Sequence, residues 1–88
     1  MQVELTSDQK AAEDAKNKGN DAYKSRNFPT AIAHYTTAME LDPKNMVYPT
    51  NRAAAYYEAG QYDKCIEDCN KAIETGRSVF ADYKQIAK

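Results

Sequence analysis

Apolar side chains recur at three- and four-residue steps along most of this chain, the spacing of helices with one buried stripe. Thr6-Ser7-Asp8-Gln9 opens the first helix as a capping box, with Thr6 at the cap and Gln9 reaching back. Only Gly19 interrupts helix-forming residues from there to about Ser25. A mid-helix glycine costs about 1 kcal/mol against alanine, so Gly19 is expected where another helix comes close. Arg26-Asn27-Phe28-Pro29 reads as a turn, with Pro29 at the first position of a second helix that runs to about Leu41. Ile32, Tyr35, Ala38 and Met39 form its stripe. Asp42-Pro43-Lys44-Asn45 ends it. A third helix is predicted from about Met46 to Ala59, with Pro49 in its first turn, where a missing N–H is tolerated, and Gly60 as its stop. A fourth runs from about Tyr62 to Thr75, with Gly76 closing it. A fifth begins near Ser78 and carries Val79, Phe80, Tyr83, Ile86 and Ala87 on one face.

The helices repeat. A shift of about 34 residues lays Asn17 on Asn51, Gly19 on Ala53, Tyr23 on Tyr57 and Phe28 on Tyr62. The same shift lays Ala31 on Cys65, Ile32 on Ile66, Tyr35 on Cys69, Ala38 on Ala72 and Glu40 on Glu74. Small residues fall where helices cross and large ones where gaps must be filled, and Pro43 follows the first helix pair. The pattern resembles the tetratricopeptide repeat (TPR), which implies an all-α, right-handed superhelix of helix-turn-helix units. The expected organisation is one truncated TPR domain: a first repeat over about 12–45, a second over about 46–77 and a lone third-repeat helix over about 78–88.

The first helix of each TPR pair lines the concave side. On that face the first helix would present Lys16, Asn20 and Tyr23, and the third Val47, Asn51, Ala54 and Glu58. Taken alone, Asn20 and Asn51 fit a solvated helix surface as well as a binding face. A closer resemblance favours binding. Lys16-x-x-x-Asn20, followed by Asn51 within Tyr48-Pro49-Thr50-Asn51-Arg52-Ala53-Ala54-Ala55, is similar to the carboxylate clamp of co-chaperone TPR domains. In that family Lys and Asn side chains hold the free C-terminal carboxylate and Asp side chain of a peptide ending Glu-Glu-Val-Asp. Such tails belong to heat-shock chaperones of the ninety- and seventy-kilodalton classes. Charge-assisted bonds from ammonium and amide to carboxylate suit that ligand.

Gly76-Arg77 and Ala81-Asp82-Tyr83-Lys84-Gln85-Ile86-Ala87-Lys88 narrow the resemblance to the heat-shock organising co-chaperone class. The similarity is greatest to the first of its two central TPR domains, which implies a ninety-kilodalton partner in preference to a seventy-kilodalton one. Lys88 then matches the third-repeat clamp Lys; the family's clamp Arg, one turn further on, has no counterpart here. The resemblance thus assigns the clamp to Lys16, Asn20, Asn51 and Lys88, with Tyr23, Ala54 and Glu58 flanking the peptide. Two repeats and an uncovered helix would leave Phe80, Tyr83 or Ile86 exposed, so a homo-oligomer or a helix swap through the last helix is expected. A generic TPR scaffold or oligomerisation module without tail specificity is the rival reading.

Composition adds exclusions. With 88 residues and 42% hydrophobic content the chain builds one small core. A formal net charge of -1 gives no overall pull toward nucleic acid or an anionic membrane. No apolar run nears the roughly 20 residues of a membrane span. The start lacks the basic-then-apolar order of a secretion signal, and two Cys in a polar chain suit a reducing, cytoplasmic setting. Cys65 and Cys69 share a helix, but a zinc site wants about four ligands and His34 is the only histidine. Both Cys are therefore expected to pack in the core, His34 to face solvent, and no metal, cofactor or catalysis is expected. Glu13, Asp14, Glu67 and Asp68 are expected on a solvated face.

Overall fold

A computed structural model describes the backbone of residues 6–87 and the side chains of residues 6–77. Among these residues the chain forms four helices: α1 (Ser7–Lys24), α2 (Phe28–Leu41), α3 (Val47–Glu58) and α4 (Tyr62–Ala87). The capping box is formed: the Gln9 N–H donates to Thr6 Oγ1 at 3.1 Å and the Thr6 N–H to Gln9 Oε1 at 2.9 Å. Arg26, in the left-handed region at φ 63°, turns the chain out of α1. Asn27 then caps α2 by accepting the Thr30 N–H. Between the repeats, Asn45 Oδ1 accepts the Val47 N–H at 2.9 Å. Gly60, at φ +80°, closes α3.

Successive helices pack against one another, α1 on α2, α2 on α3 and α3 on α4. Alanines make these approaches close and tyrosines fill what remains. One buried cluster joins Ala12 and Ala15 of α1 to Ala38 of α2 and Tyr48 of α3. A second joins Ala31 and Tyr35 of α2 to Ala55 of α3, with Ala22 and Tyr23 of α1 packed against it. Early α1 therefore meets early α3 and late α1 meets late α3, so the two helices run in the same direction. Gly19 lies beneath the Tyr35 ring, as the close approach inferred for it requires: a Cβ there would sit 2.5 Å from Tyr35 Cε1.

The expected stop at Gly76 is corrected. α4 is one helix through Gly76 to Ala87, with no separate fifth helix. Gly76 has no positive φ. Its neighbours Thr75, Arg77 and Ser78 all tolerate helix, and no Asp-Pro follows as it does after α2. A Cβ at Gly76 would meet only the flexible Met46 thioether, at 3.4 Å. Gly76→Ala is accordingly expected to raise stability by up to about 1 kcal/mol, the helix preference for alanine, measured by urea unfolding. A loss of stability would instead place a helix stop at this residue. The exposure expected for Phe80, Tyr83 and Ile86 concerns side chains outside the described residues.

Candidate functional site

Lys16 and Asn20 lie one turn apart on α1, and both are half-buried. Lys16 lines a cleft of about 200 Å³ at the junction of α1 with the start of α3, beside Glu13, Asp42, Asn45, Val47 and Tyr48. Asn51, also half-buried, stands one turn beyond Val47 on α3. Because α1 and α3 run in the same direction, each four-residue step advances about 6 Å the same way along both helices. Asn20 lies one turn beyond Lys16 on α1 and Asn51 one turn beyond Val47 on α3, and neither is among the residues that line the Lys16 cleft. Further along α3, Ala54 and Glu58 are exposed. Tyr23 is half-buried, edge-on to Phe28 with ring centroids 5.5 Å apart, so its ring helps to close the second cluster. Lys88 lies outside the described residues.

The polar state of these side chains is well defined. Tyr35, 2% exposed, donates its hydroxyl to Asn20 Oδ1 at 2.6 Å. Burial, and secondarily the neighbouring Tyr23, pushes the Tyr35 pKa up, so the phenol keeps its proton. Tyr48 is raised in the same way, by burial and then by Asp42 and Glu13. The one ion pair among the described residues joins Arg52 to Asp68, so no described carboxylate pairs with Lys16. Lys16 thus carries an ammonium without a described carboxylate partner, and Asn20, its oxygen taken by Tyr35, keeps its amide N–H₂ as donor, groups of the kind that suit a carboxylate.

Arg52 and Asp68 correct one expectation. Asp68 is buried, 2% exposed, and not on a solvated face. Arg52 Nε donates to its Oδ2 at 2.7 Å, Nη2 to its Oδ1 at 2.6 Å, and Nη1 to Thr36 Oγ1 at 3.0 Å. The guanidinium also stacks over the Tyr56 ring, 5.6 Å from its centroid. This fork ties α2, α3 and α4 together. Glu13, Asp14 and Glu67 are exposed as expected.

The core packing expected for both cysteines is also corrected. Cys65 is half-buried and Cys69 exposed, because no described element covers the α4 face that carries Cys69 together with Ile66 and Ile73. Burial, and then Cys69 beside it, raises the Cys65 pKa and keeps it a thiol. His34 is half-buried rather than fully turned to solvent. Among the described residues no three His, Cys, Asp or Glu side chains converge, and no helix is long and apolar enough to cross a membrane.

A helix-pair array with this register is a TPR fold, a protein-interaction module. Residues 50–75 match the tetratricopeptide repeat family. Over 70 residues, 80% of this chain, the sequence is 57% identical to Hsp70-Hsp90 organizing protein 1 of Arabidopsis thaliana, of which it covers 12%. The N-terminal domain of stress-induced protein-1 (STI-1) from C. elegans superposes with a TM-score of 0.83 at 43% identity, over 94% of this chain and 65% of that one. The first TPR of Spaghetti (RPAP3), bound to HSP90 peptide SRMEEVD, superposes with a TM-score of 0.76 at 40% identity, over 80% of this chain and 56% of that one. The chain is a tetratricopeptide repeat domain, similar in sequence and fold to those of the Hsp70-Hsp90 organizing proteins. It spans 12–23% of the length of the curated relatives it matches.

Proposed function

We propose that this chain is a co-chaperone module that holds the acidic C-terminal tail of a heat-shock chaperone, ending Glu-Glu-Val-Asp, through a carboxylate clamp of Lys16, Asn20, Asn51 and Lys88. One observation carries the reading: Lys16 and Asn20 lie one turn apart on α1, Asn51 lies on the parallel α3, all three are half-buried, and no described carboxylate pairs with the ammonium. The HSP90 peptide held by the Spaghetti TPR ends in the same four residues, and the ninety-kilodalton class is the favoured partner over the seventy-kilodalton one. Tyr23, Ala54 and Glu58 flank the peptide. The module works by binding, in the cytoplasm and in the stress response, without cofactor, nucleic acid or membrane. Its overall charge supplies no long-range attraction for an acidic tail, so affinity comes from the clamp and weakens as salt screens it.

Asn51→Ala tests this directly. Removing an amide that donates to a charged group is expected to weaken binding of a peptide ending Glu-Glu-Val-Asp about tenfold or more, measured by calorimetry, with the circular dichroism of the helices unchanged. Unaltered affinity would take Asn51 out of the clamp. A second reading, an oligomerisation or scaffold module, has its own support in the exposed apolar stripe of α4, where Tyr62 is 58%, Ile66 61% and Ile73 51% exposed. That reading expects no preference for a free C-terminal acid.

A further inference from the structure

We infer that Tyr35 is a positioning residue that holds the Asn20 carboxamide in one orientation, so that Asn20 presents donors alone and selects an ionised carboxylate over a carboxamide. The inference deepens the clamp reading and rests on it. A free asparagine side chain can rotate by half a turn and offer either its oxygen or its nitrogen to a ligand. Here the oxygen is engaged: Tyr35 donates to Asn20 Oδ1 at 2.6 Å. The phenol has little room to change its aim, since its ring is 2% exposed and lies against Gly19, where even a methyl group would collide with it. Its raised pKa keeps the proton needed for donation. With the oxygen fixed, the Nδ2 hydrogens are the groups Asn20 has left for a ligand. A carboxylate can accept them with either oxygen. A carboxamide must place its single acceptor there and orient its own N–H₂ elsewhere, and turning Asn20 over to accommodate it would break the Tyr35 hydrogen bond to Oδ1. Tyr35 thus acts on the ligand through Asn20 without touching it.

The test is Tyr35→Phe, which keeps the ring against Gly19 and removes only the hydroxyl. The probes are a peptide ending Glu-Glu-Val-Asp as the free acid and as the C-terminal amide, titrated by calorimetry into the wild type, Tyr35→Phe, Asn20→Ala and the double variant. The expected result is a loss of roughly three- to tenfold in free-acid affinity, a smaller change for the amide, and no further loss when Tyr35→Phe is added to Asn20→Ala. A purely structural role would lower affinity equally in both backgrounds, and that additivity would overturn the inference. Wild-type affinity in Tyr35→Phe, with the free acid still preferred, would overturn it while leaving the clamp reading intact. Failure of the wild type to prefer the free acid would overturn both.

Discussion

Asp68→Ala is expected to lower the free energy of unfolding by roughly 3 kcal/mol, the lower end of the range for breaking a buried ion pair from one side. The size follows from what is left behind. Without the carboxylate, the Arg52 guanidinium keeps only Thr36 and the Tyr56 face, and its side chain is 14% exposed, too little for water to replace two short hydrogen bonds. A domain of 88 residues has a total stability of roughly 4–13 kcal/mol, so this loss is a large share of the whole. Urea unfolding followed by circular dichroism measures it. A loss below about 1 kcal/mol, the usual ceiling for exposed pairs, would mean that Asp68 is solvated after all. Because the fork spans three helices, the damage should extend to the α2–α3 packing that connects the repeats.

Gly19→Ala carries the second large effect, and its sign runs against the ordinary rule. Alanine in mid-helix normally gains about 1 kcal/mol over glycine. At Gly19 the added Cβ would lie 2.5 Å from Cε1 and 2.7 Å from Cδ1 of Tyr35. These atoms belong to a rigid, buried ring, so backbone or ring must shift, at a cost of about 1–3 kcal/mol. The net expectation is destabilisation, seen as a lower urea midpoint. Tail binding should weaken as well, because a displaced Tyr35 no longer reaches Asn20. Gly19→Ala more stable than the parent would show that the α1–α2 approach is looser than the structure has it. The contrast with Gly76 is a matter of neighbours: a thioether can swing aside and a buried phenol cannot.

The sequence made the repeat readable because packing fixes it. Alanine and glycine at crossings, tyrosine in gaps and caps at turns are local demands that recur in register, and α1, α2 and α3 begin and end within a residue or two of where those signals place them. Gly76 misled because glycine stops a helix only when the chain then turns, and nothing after it forces a turn. Asp68 misled because an acid among the charged residues Glu67, Lys71 and Glu74 looks solvated. Its partner Arg52 is 16 residues away, and only the α3–α4 crossing brings the two together. The cysteines followed the same logic in reverse: the repeat register marks a packing position, but burial also needs a neighbour to pack on. At the candidate site, the four-residue spacing of Lys16 and Asn20 was plain in the sequence. The Tyr35 contact was not, for Tyr35 reads as an ordinary gap-filling aromatic. The one available clue was Gly19, which leaves a large ring space beside Asn20.

The most direct test of the clamp is a calorimetric titration of the chain with a peptide ending Glu-Glu-Val-Asp, as the free acid and as the C-terminal amide. In the proposed clamp Lys16, Asn20 and Asn51 would supply donors to a terminal carboxylate, so the free acid should bind, the amide should bind far more weakly, and added salt should narrow the gap. Equal binding of the two forms, or binding of neither, would contradict the account.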